Sequence, residues 1–139
     1  MPLGTLLTLV LAVRPTWRRR VGFLLPVVAA VVLAVTQLAV MSGSKFDEVV
    51  GDRVNTDTHE SLALMTRNLV VVFLLASLIL AIFDRWHRKG GPAWLGSGVL
   101  IAVALTTMSS ALATLWMIRT GDEGARLVWD GILVLRLIG

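Results

Sequence analysis

The sequence predicts an all-α integral membrane helical bundle: three full spans plus a partial first helix, with an amphipathic outer cap and a C-terminal surface helix. Two observations carry that class. Residues 21–41 and 95–118 run for 21 and 24 residues without a charged side chain, and residues 62–83 add 22 more with a single arginine; about 20 apolar residues cross a hydrocarbon core as one helix. The lysines and arginines gather in short clusters at the ends of these runs instead of along one polar face, which is the distribution of membrane topology and not of nucleic-acid binding. At 56% hydrophobic residues and a mean hydropathy of +0.81, the 139-residue chain is too apolar for a soluble domain of its size. It reads as one transmembrane domain over residues 1–139, with spans at about 3–13 (partial), 21–41, 62–83 and 95–118.

Residues 3–13 form an apolar run of 11, half a span. A secretory signal would place its positive charge before the run. Here Arg14 and Arg18, Arg19 and Arg20 follow it, so a partial helix is expected, ending at Arg14-Pro15 because the residue before a proline is biased out of the helical region. In the second span Gly22, Pro26, Ala30 and Ala34 recur every four residues, a stripe of small side chains along which a neighbouring helix can approach closely. Pro26 predicts a kink or a late helix start.

Residues 42–61 are the polar connection, with Lys45 and Arg53 against Asp47, Glu48, Asp52, Asp57 and Glu60, a net charge of −3. Phe46, Val49, Val50 and Val54 fall near helical spacing within it, predicting a short amphipathic helix at the membrane surface. Asp57 and Glu60 have the spacing of a capping box that opens the third span, with His59 in its first turn. Arg67 lies about two turns further in, within snorkelling reach of the interface. After Phe83, Arg85, Arg88 and Lys89 outweigh Asp84, and Gly90-Gly91-Pro92 marks a turn. In the last span Ala102, Thr106, Ser110 and Thr114 make a second small-residue stripe whose hydroxyls can bond across to another helix. Residues 120–124 read as a turn, and the charges of Arg126, Asp130 and Arg136 make the remainder a surface or re-entrant helix.

The loop 14–20 holds four Lys and Arg residues and the loop 85–89 three, against two in 42–61. The positive-inside rule therefore places loops 14–20 and 85–89 in the cytoplasm, with 42–61 and the C-terminus outside. Trp17, Trp86 and Trp94 would then mark the inner interface and Trp116 the outer one.

The absence of cysteine removes disulfides, iron–sulfur clusters, thiolate zinc sites and a cysteine nucleophile. Of the two histidines, His59 is the candidate cofactor ligand, for haem or metal, because Asp57 and Glu60 are placed to orient its imidazole. The plainer role for His59 is a polar neighbour of a helix cap, and for His87 a place among lipid headgroups. Arg67 is expected to meet Asp122 or Glu123 in an outer ion pair, so Asp57, Glu60, Arg67 and Asp122 are the expected structural polar contacts. No span carries an ionisable residue near its centre, and no glycine-rich phosphate loop, HExxH or serine-histidine-acid arrangement is present, so no catalytic residue and no resident metal are expected.

Ala12-Val13-Arg14-Pro15-Thr16-Trp17-Arg18-Arg19-Arg20, Ser42-Gly43-Ser44 opening an acidic helix, Thr58-His59-Glu60 leading a span, and Arg119-Thr120-Gly121-Asp122-Glu123-Gly124-Ala125-Arg126-Leu127-Val128-Trp129 together resemble a family of small four-helix bacterial inner-membrane proteins classed as a domain of unknown function. The resemblance covers nearly the whole chain. Fuller members begin with a His-Pro-x-x-x-His-like motif in the first helix and often carry a histidine in the Thr-Gly-x-x-Gly turn. Here the first helix begins beyond those histidines and Asp122 occupies the turn position, so only His59 matches. The resemblance implies either a shortened member or a true start upstream. The function expected is a non-catalytic accessory subunit or homo-oligomeric component of the cell inner membrane, partnered by the lipid bilayer and by other membrane subunits or itself, and not by nucleic acid. The alternative is a redox protein holding b-type haem or a metal through His59 and a ligand outside this chain.

Overall fold

The computed structural model describes residues 2–50 and 57–138; the side chains of Pro15, Arg19, residues 44–59, 127, 128 and 130–138 lie outside the description. Among the described residues five helices follow in order: α1 (Pro2–Val13), α2 (Pro15–Val21), α3 (Leu24–Val50), α4 (Asp57–Arg88) and α5 (Trp94–Ile138). Three of them are long and apolar enough to cross a membrane, over Leu24–Gly43, Glu60–Arg88 and Trp94–Arg126, and α1 is the shorter apolar helix.

The breaks between helices have local causes. Arg14 adopts an extended conformation at φ −118°, ψ 90°, and Pro15 follows in the first turn of α2, where the missing proline N–H removes no helical hydrogen bond. The seven-residue α2 ends as the Gly22 N–H caps the Arg18 carbonyl at 2.9 Å. A Cβ on Gly22 would stand 2.5 Å from that carbonyl oxygen, so no larger residue fits this corner without moving backbone. Pro26 falls in the first turn of α3, the late start expected of it. At the end of α4, Gly91 N–H donates to Trp86 O at 3.2 Å and Gly90 N–H to His87 O at 3.3 Å, with Gly90 at φ +81°. These are the two bonds of a Schellman cap, which needs a left-handed residue in the Gly90 position.

The buried faces explain how the spans meet. On α4, Thr66, Val70, Phe73, Ser77, Leu80 and Asp84 are buried, and on α5, Leu95, Val99, Ala102, Thr106, Ser109 and Ala113. Both sets advance by alternating steps of four and three, the period of a left-handed coiled-coil seam. α4 lies between α3 and α5, while α1 packs on α5 and α3 and completes a four-helix bundle. The core joins Leu11 of α1, Leu25 and Ala29 of α3, Phe73 and Leu80 of α4, and Val99 and Ala102 of α5. Gly4 of α1 sits beside the Phe73 ring, its Cβ position 3.8 Å from the ring edge.

Three expectations are revised. The packing face of α3 is Leu25, Ala29 and Thr36; in the predicted stripe Pro26 is half-buried and Ala30 and Ala34 are exposed, one position round the helix. α3 continues without a break to Val50, so Phe46, Val49 and Val50 extend it instead of forming a separate amphipathic helix, and Val54 lies outside the described residues. Residues 120–124 are helical within α5, where the Thr120 hydroxyl donates to Trp116 O at 2.9 Å and Arg126 pairs with Glu123 at 3.5 Å. By contrast, the stripe of α5 does pack inward, and its Thr114 hydroxyl bonds the Thr5 hydroxyl of α1 at 2.8 Å.

Phe73 has no exposed surface, whereas Val31 is 59% exposed. Phe73→Ala should cost about 3 kcal/mol in denaturation from detergent micelles, and Val31→Ala less than about 0.5. Equal costs would contradict the core described.

Candidate functional site

Among the described residues, a buried ion cluster lies at the basic end of the bundle. Asp84 closes the inward seam of α4 and is 6% exposed. Its Oδ1 accepts Nε–H of Arg18 at 3.0 Å and its Oδ2 lies 3.3 Å from Nε of Arg88, one turn further on. Nε–H of Arg88 also donates to the Asp84 carbonyl at 3.1 Å. Arg18 reaches this carboxylate because the Arg14-Pro15 break and the Gly22 corner swing α2 across the end of α4. A shorter path from α1 to α3 would remove that arm.

A groove of about 320 Å³ opens here. Phe23, Leu80 and Ala81 make its apolar side and Gly22 its corner, while Arg18, Asp84, Arg85 and Arg88 line the charged side. Three guanidiniums against one carboxylate leave the site net +2. Each guanidinium offers five N–H donors, so the charged side has the donors an anion would need. Trp17, Trp86 and Trp94 are exposed around this end. Trp94 also meets Phe83 edge to face at 6.2 Å.

A second, more open groove of about 550 Å³ runs between α3 and α4. Its floor is apolar, with Ala30 and Ala34 on one side and Val71 and Leu74 on the other; Gln37, Arg67 and Asn68 supply the polar side chains.

Elsewhere the buried hydroxyls are satisfied nearby. Thr8, Thr36, Thr66 and Thr106 each donate to the carbonyl four residues back, at 2.7 to 2.8 Å. Two pairs cross between helices: Thr5 with Thr114, and Thr66 of α4 with Thr120 of α5 at 3.0 Å, where one hydroxyl donates to the other in place of its own-helix carbonyl.

The residues singled out in the sequence are scattered by the fold. Asp57 and His59 stand in the first turn of α4, but their side chains lie outside the described residues, so neither the cap nor a ligand role is visible there. Glu60 is exposed. Arg67 turns to its neighbour Asn68, donating to Oδ1 at 3.2 and 3.4 Å, and Glu123 pairs with Arg126; the expected pair of Arg67 with Asp122 or Glu123 is not formed. His87 is exposed at the basic end, some 28 residues and about 42 Å along α4 from His59. Among the described residues no group of three or more histidines and carboxylates converges.

Asp84 and its two arginines were missed because Asp84 entered the sequence reading only as one charge in a basic loop. A signal was present: an acid that follows the seam Val70, Phe73, Ser77, Leu80 in register, four residues before Arg88.

All-α polytopic membrane bundle is the class these helices define. Comparison of the chain with protein-family models, with curated proteins and with solved structures finds no match.

Asp84→Asn should destabilise the bundle by roughly 2–3 kcal/mol, since it leaves two guanidiniums without their counter-charge. Most of that belongs to Arg18, as the Arg88 side chain is 38% exposed and screened. In a double-mutant cycle, Arg18→Gln with Asp84→Asn should cost less than the sum of the singles by about 1 kcal/mol. Strict additivity would show that the two groups do not couple.

Proposed function

We propose that this chain is a non-catalytic component of a bacterial inner membrane that assembles laterally, with another integral membrane protein or with copies of itself. The observation that carries the reading is the state of α3. Only 17% of its apolar span is buried by the rest of the chain, against 33% for each of α4 and α5. The exposed face holds Ala30 and Ala34, small enough for a second helix to come close, and opens onto the α3–α4 groove where Gln37, Arg67 and Asn68 offer hydrogen bonds. In this reading the basic end, with residues 14–20 and 85–89, faces the cytoplasm, and residues 42–61 and the C-terminus face outward. The Lys and Arg bias of the loops supports that orientation. Membership of the family of small four-helix membrane proteins belongs to the same proposal and rests on the motif order.

Protein taken from its native membrane into nanodiscs should have the mass of an oligomer or carry a membrane partner, and Ala34→Trp should reduce it to the single chain. A wild-type preparation of lone monomers overturns the reading. The same sample should lack a haem spectrum; a near-stoichiometric b-type spectrum that His59→Ala abolishes would replace this function with the redox one. Because the chain has no cysteine, orientation can be read directly. Gly43→Cys should react with an impermeant maleimide in intact cells and Lys89→Cys only after lysis, and the opposite pattern would invert the topology.

A further inference from the structure

We propose that the groove at the basic end is a binding site for one anionic phospholipid, its phosphate held by Arg18 and Arg85 and an acyl chain lying against Phe23 and Ala81. The groove has the two-part character of such a ligand. Its charged rim and its apolar wall are adjacent, and both sit where the apolar spans end. Phe23 is exposed and Ala81 half-buried, so the wall is open to lipid.

Charge selects the ligand. Asp84 offsets one of the three arginines, and the remaining +2 favours a headgroup of net negative charge over a zwitterion. Arg85 is exposed and has no acidic partner among the described residues. Asp84 prepares the site: by taking Nε of Arg18 at 3.0 Å it fixes that guanidinium at the groove, so little side-chain entropy is lost on binding. A guanidinium fork also matches two phosphate oxygens at once, which an ammonium does not. The site is independent of any lateral partner on α3, which lies against the other groove.

The test uses the full chain in phosphatidylcholine vesicles doped with spin-labelled phosphatidylglycerol or spin-labelled phosphatidylcholine, reading the motionally restricted fraction. Phosphatidylglycerol should be retained several-fold over phosphatidylcholine, and Arg85→Gln should lower that preference about fivefold. Arg119→Gln, an exposed cation far along α5 that stacks on Trp116, should leave it unchanged. Arg18→Gln with Asp84→Asn should weaken it too; should that variant fail to fold, Arg85→Gln alone decides, since an exposed side chain is removed. Equal retention of the two lipids, no effect of Arg85→Gln, or an equal effect of Arg119→Gln would overturn the proposal. So would displacement of the labelled lipid by inorganic phosphate but not by potassium chloride of equal ionic strength, which would make the ligand free phosphate.

Discussion

The seam between α4 and α5 is the contact on which the rest of the bundle depends. In lipid, bringing two apolar helices together removes little water, so association rests on how closely the surfaces fit. Each of the two helices supplies a continuous buried face. α4 presents Val70, Phe73 and Leu80, and α5 presents Ala102, Thr106, Ser109 and Ala113 at matching four-three steps. Thr66 and Ser77 on α4 and Leu95 and Val99 on α5 complete the two buried faces. The Schellman cap at Gly90 and Gly91 fixes the reversal that brings these faces together. Gly98 then admits the Phe83 ring, which lies 3.0 Å from where a Cβ would stand. α1 and α3 add to a surface already made, α1 through Gly4 beside Phe73 and α3 through Leu25 and Ala29.

The parts legible in the sequence are those a bilayer or the backbone dictates. The spans followed from uncharged length, because hydrocarbon thickness sets it. The ends at Arg14-Pro15 and Gly90-Gly91 followed from proline sterics and from the left-handed residue a cap requires. The inward stripe of α5 was legible since hydroxyls concentrate on one face of an otherwise aliphatic helix. α3 has almost no such contrast between its faces, so Pro26-Ala30-Ala34 and Leu25-Ala29 are equally plausible until a neighbour chooses. The helix through residues 120–124 was hidden for a related reason. Glycine and acidic residues read as a turn for a chain in water, yet here the segment continues a long apolar helix whose start is already fixed, and extension adds one backbone bond per residue.

Asp84 was hidden by the very rule that read the topology. Counting lysines and arginines compares whole loops, each cationic residue acting on the membrane as a unit of charge. It discards where an acid in the same loop points. Asp84 is the last inward position of α4, so the register that buries Phe73 and Leu80 also buries this carboxylate. Burying it alone would be costly. α2 resolves the problem by supplying Arg18, and the chain's departure from a straight run at Pro15 and Gly22 is what lets it do so.

Polar groups within the bundle thus divide into two kinds with different consequences. Hydroxyls such as Thr106 and Ser110 bond back to their own helix, which satisfies them wherever the helix lies and says nothing about its partner. Hydroxyl pairs that cross, Thr5 with Thr114 and Thr66 with Thr120, are worth only about 0.6 kcal/mol each in membranes. The Asp84 cluster differs because one charge has partners on two helices, and sliding α4 by a single turn against α2 would separate it from Arg18. A seam repeating every seven residues tolerates such slippage, since each heptad resembles the next. The ion cluster does not repeat, so it fixes the position of α2 against the end of α4, while the cap at Gly90 and Gly91 fixes α5 against α4.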